Sequence, residues 1–244
     1  MIQGERVTVR AHGKEAAAGE EDSNRREASY VLYWMQRSQR ERCNHALEFA
    51  VERAAELSLP LMVLFVLTPG YPEANLRHYR FMLEGLAVTA RRLRERGIGF
   101  TLRIGSPVEE VLRLSEEAAL LVGDRSYLRP SRAWREEVAA RVSIPYYEVE
   151  SDAVVPIEAV SDKEEYTAGT LRPKLHRRLF QFLEPLPRRE VAVAWPEDAV
   201  PWRERARTET ADAAPKPAGD AVPAPEDVDA VLDPTVPGSA EGEG

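Results

Sequence analysis

Leu61-Met-Val-Leu-Phe-Val-Leu67 carries no polar side chain in either alternation, so a strand made of it must be covered on both faces. Ser29-Tyr-Val-Leu-Tyr-Trp-Met35 reads the same way, and shorter runs follow at Ile98–Ile104, Ala119-Leu-Leu-Val-Gly123 and Ile144–Val149. Between them the apolar spacing switches to that of helices. Ala46, Leu47, Ala50, Ala54 and Leu57 mark one, and Tyr79, Leu83, Leu86, Ala90 and Leu93 a second. A third opens at Ser106-Pro107-Val-Glu109, which has the residues of an N-cap, a first-turn proline and a capping box. The fourth spans Ser131 to Val142 with Trp134 and Val138 inward, and Gly97 is the glycine stop of the second. Strand and helix alternating in this way predict an α/β fold, a five-stranded doubly wound parallel sheet with helices on both faces.

The ends of the chain have a different character. Residues 1–27 are charged and poor in large apolar side chains, and read as a disordered tail. Residues 28–150 hold the α/β unit, and 151–187 form a loop and a helix beginning near Arg172. Residues 188–244 read as a mostly disordered, Pro- and Ala-rich acidic linker or tail. The net charge of -8 belongs to that tail: residues 209–244 hold nine acidic side chains against Lys216. A neutral body gives no general attraction for nucleic acid, so any DNA role has to come from local patches or a partner. There is no apolar stretch of signal-peptide or membrane-span type, which leads us to expect a cytoplasmic protein with no membrane partner.

In a doubly wound sheet, ligands bind beyond the carboxyl ends of the strands, where the strand order reverses. With the order 3-2-1-4-5, strands one and four flank that crevice and bring Trp34-Met35-Gln36-Arg37 beside Gly123-Asp124-Arg125-Ser126. Met35, Arg37, Asp124 and Ser126 are the candidate cofactor-binding residues. Asp124 and Ser126 have the groups to hydrogen-bond a heteroaromatic ring, and the two arginines to hold an anion. The bland alternative is that Asp124 caps a loop and the arginines are solvated. Neither GxGxxG nor GxxxxGK[ST] is present, which disfavours dehydrogenase and P-loop readings. His12, His45, His78 and His176 lack metal-ligand spacing, and Cys43, read as a half-buried helix residue, is the only cysteine. No catalytic and no metal residue is assigned. Arg172, Lys174, Arg177 and Arg178 make a basic cluster interrupted by His176, either a solvated helix face or a docking surface facing another domain or a DNA backbone, and Lys163, Arg172, Lys174 and Arg178 are the candidate interdomain residues.

Several segments, in order, resemble one family. They are Tyr33-Trp-Met-Gln-Arg37 through Asn44-His-Ala-Leu47; Arg80-Phe-Met-Leu-Glu-Gly-Leu86; Leu121-Val-Gly-Asp124 into Leu128-Arg-Pro-Ser-Arg-Ala-Trp134; and Ala159-Val-Ser-Asp-Lys-Glu-Glu-Tyr166 with Leu171-Arg-Pro-Lys174. Over about residues 28–187 the chain is similar to the N-terminal, Rossmann-like α/β domain of class II cyclobutane-pyrimidine-dimer photolyases, in the photolyase/cryptochrome superfamily. Departures from the pattern are Cys43, where an aspartate is usual, and His45, where an aromatic is common.

The resemblance implies an antenna and scaffold domain for light-driven repair of DNA. In the family such a domain can hold an antenna chromophore, a deazaflavin in some members and a folate in others, of which the deazaflavin type is the one considered for this chain. Flavin adenine dinucleotide (FAD) and damaged DNA are expected only through a C-terminal FAD domain supplied in cis or in trans. The segment Val228-Asp-Ala-Val-Leu-Asp-Pro-Thr-Val-Pro-Gly238 resembles the connector into that domain. The chain by itself is therefore expected to be a truncated lyase, inactive alone. The alternative is a stand-alone nucleotide- or flavin-binding module of the same shape.

Overall fold

The computed structural model describes residues 2–13 and 28–196. Its centre is a six-stranded sheet in the order β1-β6-β5-β2-β3-β4. The strands are β1 (Val7–His12), β2 (Tyr30–Met35), β3 (Leu61–Leu67), β4 (Gly99–Ile104), β5 (Ala118–Asp124) and β6 (Pro145–Val149). The helices are α1 (His45–Leu57), α2 (Leu76–Glu95), α3 (Pro107–Ser115), α4 (Arg129–Arg141), the single turn α5 (Ile157–Val160) and α6 (Ala168–Phe182).

Every residue of β2 and of β3 is buried, as their unbroken apolar composition requires of central strands. β4 alternates buried and half-buried residues, the pattern of an edge. The five parallel strands keep the expected 3-2-1-4-5 order. One apolar layer joins Tyr33, Met35, Val63 and Phe65 to α1 and to Leu86 and Leu93 of α2. The other face packs Leu32, Trp34 and Leu64 against Val108 and Val111 of α3 and Val138 of α4.

Three expectations are corrected. Residues 7–12 are not a tail but a sixth strand, antiparallel to β6, with Val7 opposite Val149 and His12 opposite Pro145. Only one side of Val-Thr-Val-Arg-Ala-His is apolar, so the segment carries no strong signal until β6 supplies its ladder. Charges on an outermost strand also discourage further pairing. The rest of the supposed N-terminal tail, residues 14–27, lies outside the described residues.

The second correction concerns residues 184–196, which run back across the body. The backbone N–H of Trp195 donates to the Gly97 carbonyl at 2.8 Å, and its ring packs edge-on against Tyr30. Arg96 pairs with Glu48, which also accepts the backbone N–H of Arg189 at 2.8 Å. The remainder of the acidic tail, including Val228–Gly238, lies outside the described residues. Third, Ser106 is the N-cap of α3 without a side-chain cap bond, so the predicted capping box does not form. Glu109 pairs instead with Arg141 of α4 at 2.8 Å. Gly97 adopts a φ of 78° directly after α2, the left-handed stop expected of it.

Candidate functional site

The carboxyl ends of β2 and β5 meet where strand order reverses, and Asp124 organises the junction. Its Oδ1 accepts the Gln36 N–H at 2.6 Å, while Oδ2 accepts the N–H groups of Arg37 and Ser38 at 2.7 and 2.6 Å. The side chain is fully buried. Burial raises the carboxyl above the ordinary carboxylate range, with the three N–H donors acting against it and Asp152 adding to it. Asp124 is thus the cap of the 36–38 loop rather than a free acceptor for a ring.

Arg125 is likewise committed. Its guanidinium reaches Glu148 at 2.6 Å, Glu158 at 2.8 Å and the Thr8 hydroxyl at 2.6 Å. Glu148 also faces Arg135 at 3.1 Å and Arg10 at 3.7 Å, so one buried carboxylate ties β1, β5, β6 and α4 together.

Beside this junction lies a cleft of about 710 Å³. Trp34, Met35, Gln36 and Arg37 line one part, and Phe65 to Thr68 of β3 and its following loop line the next. Tyr71, Tyr79, Met82 and Trp134 complete it, with Ser126 and Ser131 at the amino end of α4. The Tyr71 and Trp134 rings meet edge-on at 6.2 Å. The Tyr79 hydroxyl donates to the Thr68 carbonyl at 3.0 Å and accepts from the Tyr71 N–H at 3.1 Å, which fixes the loop between β3 and α2. An apolar, aromatic-walled hollow at this edge suits a flat ring rather than a solvated sugar chain. Arg37 at its rim is 52 % exposed at the side chain and paired with Asp152, which also accepts from the Ser38 hydroxyl at 2.8 Å.

Of the four residues predicted to bind a cofactor, Met35, Arg37 and Ser126 line this cleft and Asp124 stands behind it. The cleft opens toward β3 and α2 as well as between β2 and β5, so the sequence reading missed Tyr71, Tyr79 and the part of Trp134 in the wall. The available signal was the loop Thr68-Pro-Gly-Tyr71, which must also sit at the carboxyl edge in a parallel sheet. Cys43 is exposed, at a φ of 49° in the turn before α1, and is not a helix residue. His45 opens that helix. Among the described residues no cluster of His, Cys, Asp or Glu is arranged to hold a metal ion.

Of the four basic residues expected at a domain junction, Lys174 and Arg178 line one hollow beside α5, and each is paired within the chain. Lys174 pairs with Glu165 and donates to the Ser161 hydroxyl at 3.0 Å. The hydrogen bond from Lys174 holds the Glu165 carboxyl down at about 2. Arg178 reaches Glu5 at 3.4 Å and lies over the Phe182 ring. Lys163 and Arg172 are exposed. Around them Tyr166 and Phe180 are 85 % and 84 % exposed, and Leu171 and Leu183 are exposed too. No helix among the described residues is long and apolar enough to cross a membrane.

The family model described as DNA photolyase matches residues 31–192. The chain is 49 % identical over 168 residues to the deoxyribodipyrimidine photo-lyase of Methanothermobacter thermautotrophicus, covering 69 % of this chain and 37 % of that protein. It is 36 % identical over 160 residues to the enzyme of the same name from Potorous tridactylus, covering 64 % and 30 %. The chain therefore spans about a third of the length of these relatives. Among solved structures, a bacterial class III photolyase from Agrobacterium tumefaciens superposes with a TM-score of 0.51 at 18 % identity, over 72 % of this chain and 38 % of that one, a likeness of fold.

Proposed function

We propose, because this chain belongs to the DNA photolyase family, that residues 28–187 form the antenna and scaffold domain of a class II deoxyribodipyrimidine photolyase. In this reading a flat heteroaromatic pigment of deazaflavin type sits in the cleft and passes excitation to an FAD-binding helical domain in the same or a separate chain. The photochemistry on the pyrimidine dimer takes place in that second domain, because electron transfer needs a reduced flavin beside a base taken out of the stack. Damaged DNA is met through that domain. The class assignment rests on the collinear segments from Tyr33 to Lys174.

The observation that carries the reading is the aromatic-walled cleft built from Trp34, Tyr71 and Trp134 at the carboxyl edge of the sheet. An antenna works only when its ring is held rigidly relative to the acceptor. Here the walls are anchored by the Asp124 cap on one side and the Tyr79–Thr68 hydrogen bond on the other. The exposed aromatic side chains Tyr166 and Phe180, with Arg172 between them in sequence, form the face we assign to the second domain.

The test is titration of an unphosphorylated deazaflavin into the 244-residue chain, followed by fluorescence anisotropy. One equivalent should bind, and Trp134→Ala should weaken it about tenfold by removing a stacking wall. No binding, or equal binding by the variant, removes the cleft from the antenna role. Loss of dimers from irradiated DNA under blue light with this chain alone would sink the scaffold reading.

A further inference from the structure

We propose that the amino end of α4 is an anion subsite of this cleft, so that the ring bound there carries a phosphate or carboxylate substituent. The proposal rests on the cleft being a ring-binding site and adds the chemistry of the ring's substituent.

The N-cap of α4 is Leu128, whose side chain has no oxygen to offer, and no side-chain cap bond forms. The first helical hydrogen bond runs from the Arg132 N–H to the Leu128 carbonyl at 3.0 Å. The N–H groups of Arg129 and Ser131 therefore precede the helical ladder, and Pro130 between them has none. Unpaired N–H groups and the helix dipole together favour an anion in front of them.

A helix end alone does not define a site, and the second observation is Ser131 itself. It is only 7 % exposed and lines the cleft, yet its hydroxyl has no hydrogen-bond partner among the described residues. Gln36 on the same cleft repeats the pattern, since its Oε1 and Nε2 are shielded and without a partner. The acids nearby do not repel the proposed anion strongly. Asp124 is filled by three N–H donors, and Asp152 is paired with Arg37 and Arg40. The groups left over at the amino end of α4 are donors, which match an acceptor-only group.

The experiment compares riboflavin with its 5′-phosphate (FMN) as probes of the full chain, by fluorescence anisotropy. FMN should bind about tenfold more tightly than riboflavin. Excess inorganic phosphate should bring FMN to the riboflavin level and leave riboflavin unchanged, which separates a phosphate held through the ring from free phosphate. Ser131→Asp places a carboxylate in the first turn of α4, where it stabilises a helix. With its folding confirmed by the thermal midpoint, this variant should bind the two flavins alike. Equal binding of the two flavins by the wild type, or a preference for FMN surviving in Ser131→Asp, overturns the subsite. If neither flavin binds, the ring-site reading fails, and thermal stabilisation by inorganic phosphate decides the subsite. Stabilisation lost in Ser131→Asp supports it, and none in the wild type, or the same in both, refutes it.

Discussion

The carboxylate of Asp124, at the end of β5, holds the backbone N–H of Ser38 at 2.6 Å across a separation of 86 residues. The same group accepts from Gln36 and Arg37. One buried side chain thereby shapes the loop that forms a wall of the cleft, without reaching into the cleft itself.

Asp124→Asn should therefore act on the fold first. One carboxylate oxygen becomes an amide that donates, which leaves buried N–H groups unmatched and should cost about 3 kcal/mol. Urea unfolding gives this number. A loss of ring affinity with no loss of stability would mean that Asp124 touches the ligand directly.

Gly99 and Trp195 are a matched pair. A Cβ on Gly99 would stand 2.6 Å from the Trp195 ring, so the indole occupies space that only glycine leaves open. Gly99→Ala should displace residues 184–196 at a cost of about 1–3 kcal/mol. Proteolysis within that segment should accelerate, and a Trp195→Ala background should abolish the extra effect. Unchanged proteolysis in Gly99→Ala would place the indole elsewhere.

His45 gives the protein a pH-dependent contribution. Burial, then the charges of Arg6 and Arg40, lower its pKa from 6.5 to about 4. Between those values the unfolded chain binds a proton that the folded chain refuses, so stability falls as the pH drops from about 6.5 to about 4. In His45→Gln this part of the pH dependence should vanish. The check is the urea midpoint at several pH values for both proteins, and an identical slope would exclude His45 as its source.

Arg172 and Lys174 stand two residues apart on α6 but have different roles. Lys174 ties the helix to Glu165 and Ser161, whereas Arg172 is exposed. Arg172→Glu should change chain stability by no more than about 0.5 kcal/mol. It should still weaken association with a separately expressed FAD domain. Lys174→Glu should loosen α6 itself, seen as faster amide exchange from Thr167 through its first turn. Unaltered association in Arg172→Glu would take that residue off the interface.

The amino-acid sequence by itself determined the five parallel strands, their order and the helices between them. Those elements are set by local periodicity: Leu61–Leu67 is apolar on both faces and can only be central, and Tyr79, Leu83, Leu86 and Leu93 return at helical spacing. It also placed Met35, Arg37 and Ser126 at the carboxyl edge of the sheet, where they line the cleft, because a parallel sheet gathers its strand ends there.

Tertiary structure decided the rest. β1 exists because β6 offers it a ladder, since Val7–His12 has no apolar run of its own to announce a strand. Trp195 lies on Gly99, nearly 100 residues away, through a fit of shapes that no periodicity records. Whether Asp124 faces a ligand or a loop, and whether the Ser131 hydroxyl finds a partner, depends on which backbone groups arrive beside them. That is fixed by the packing of distant segments, since a polar residue's role follows from its neighbours in space.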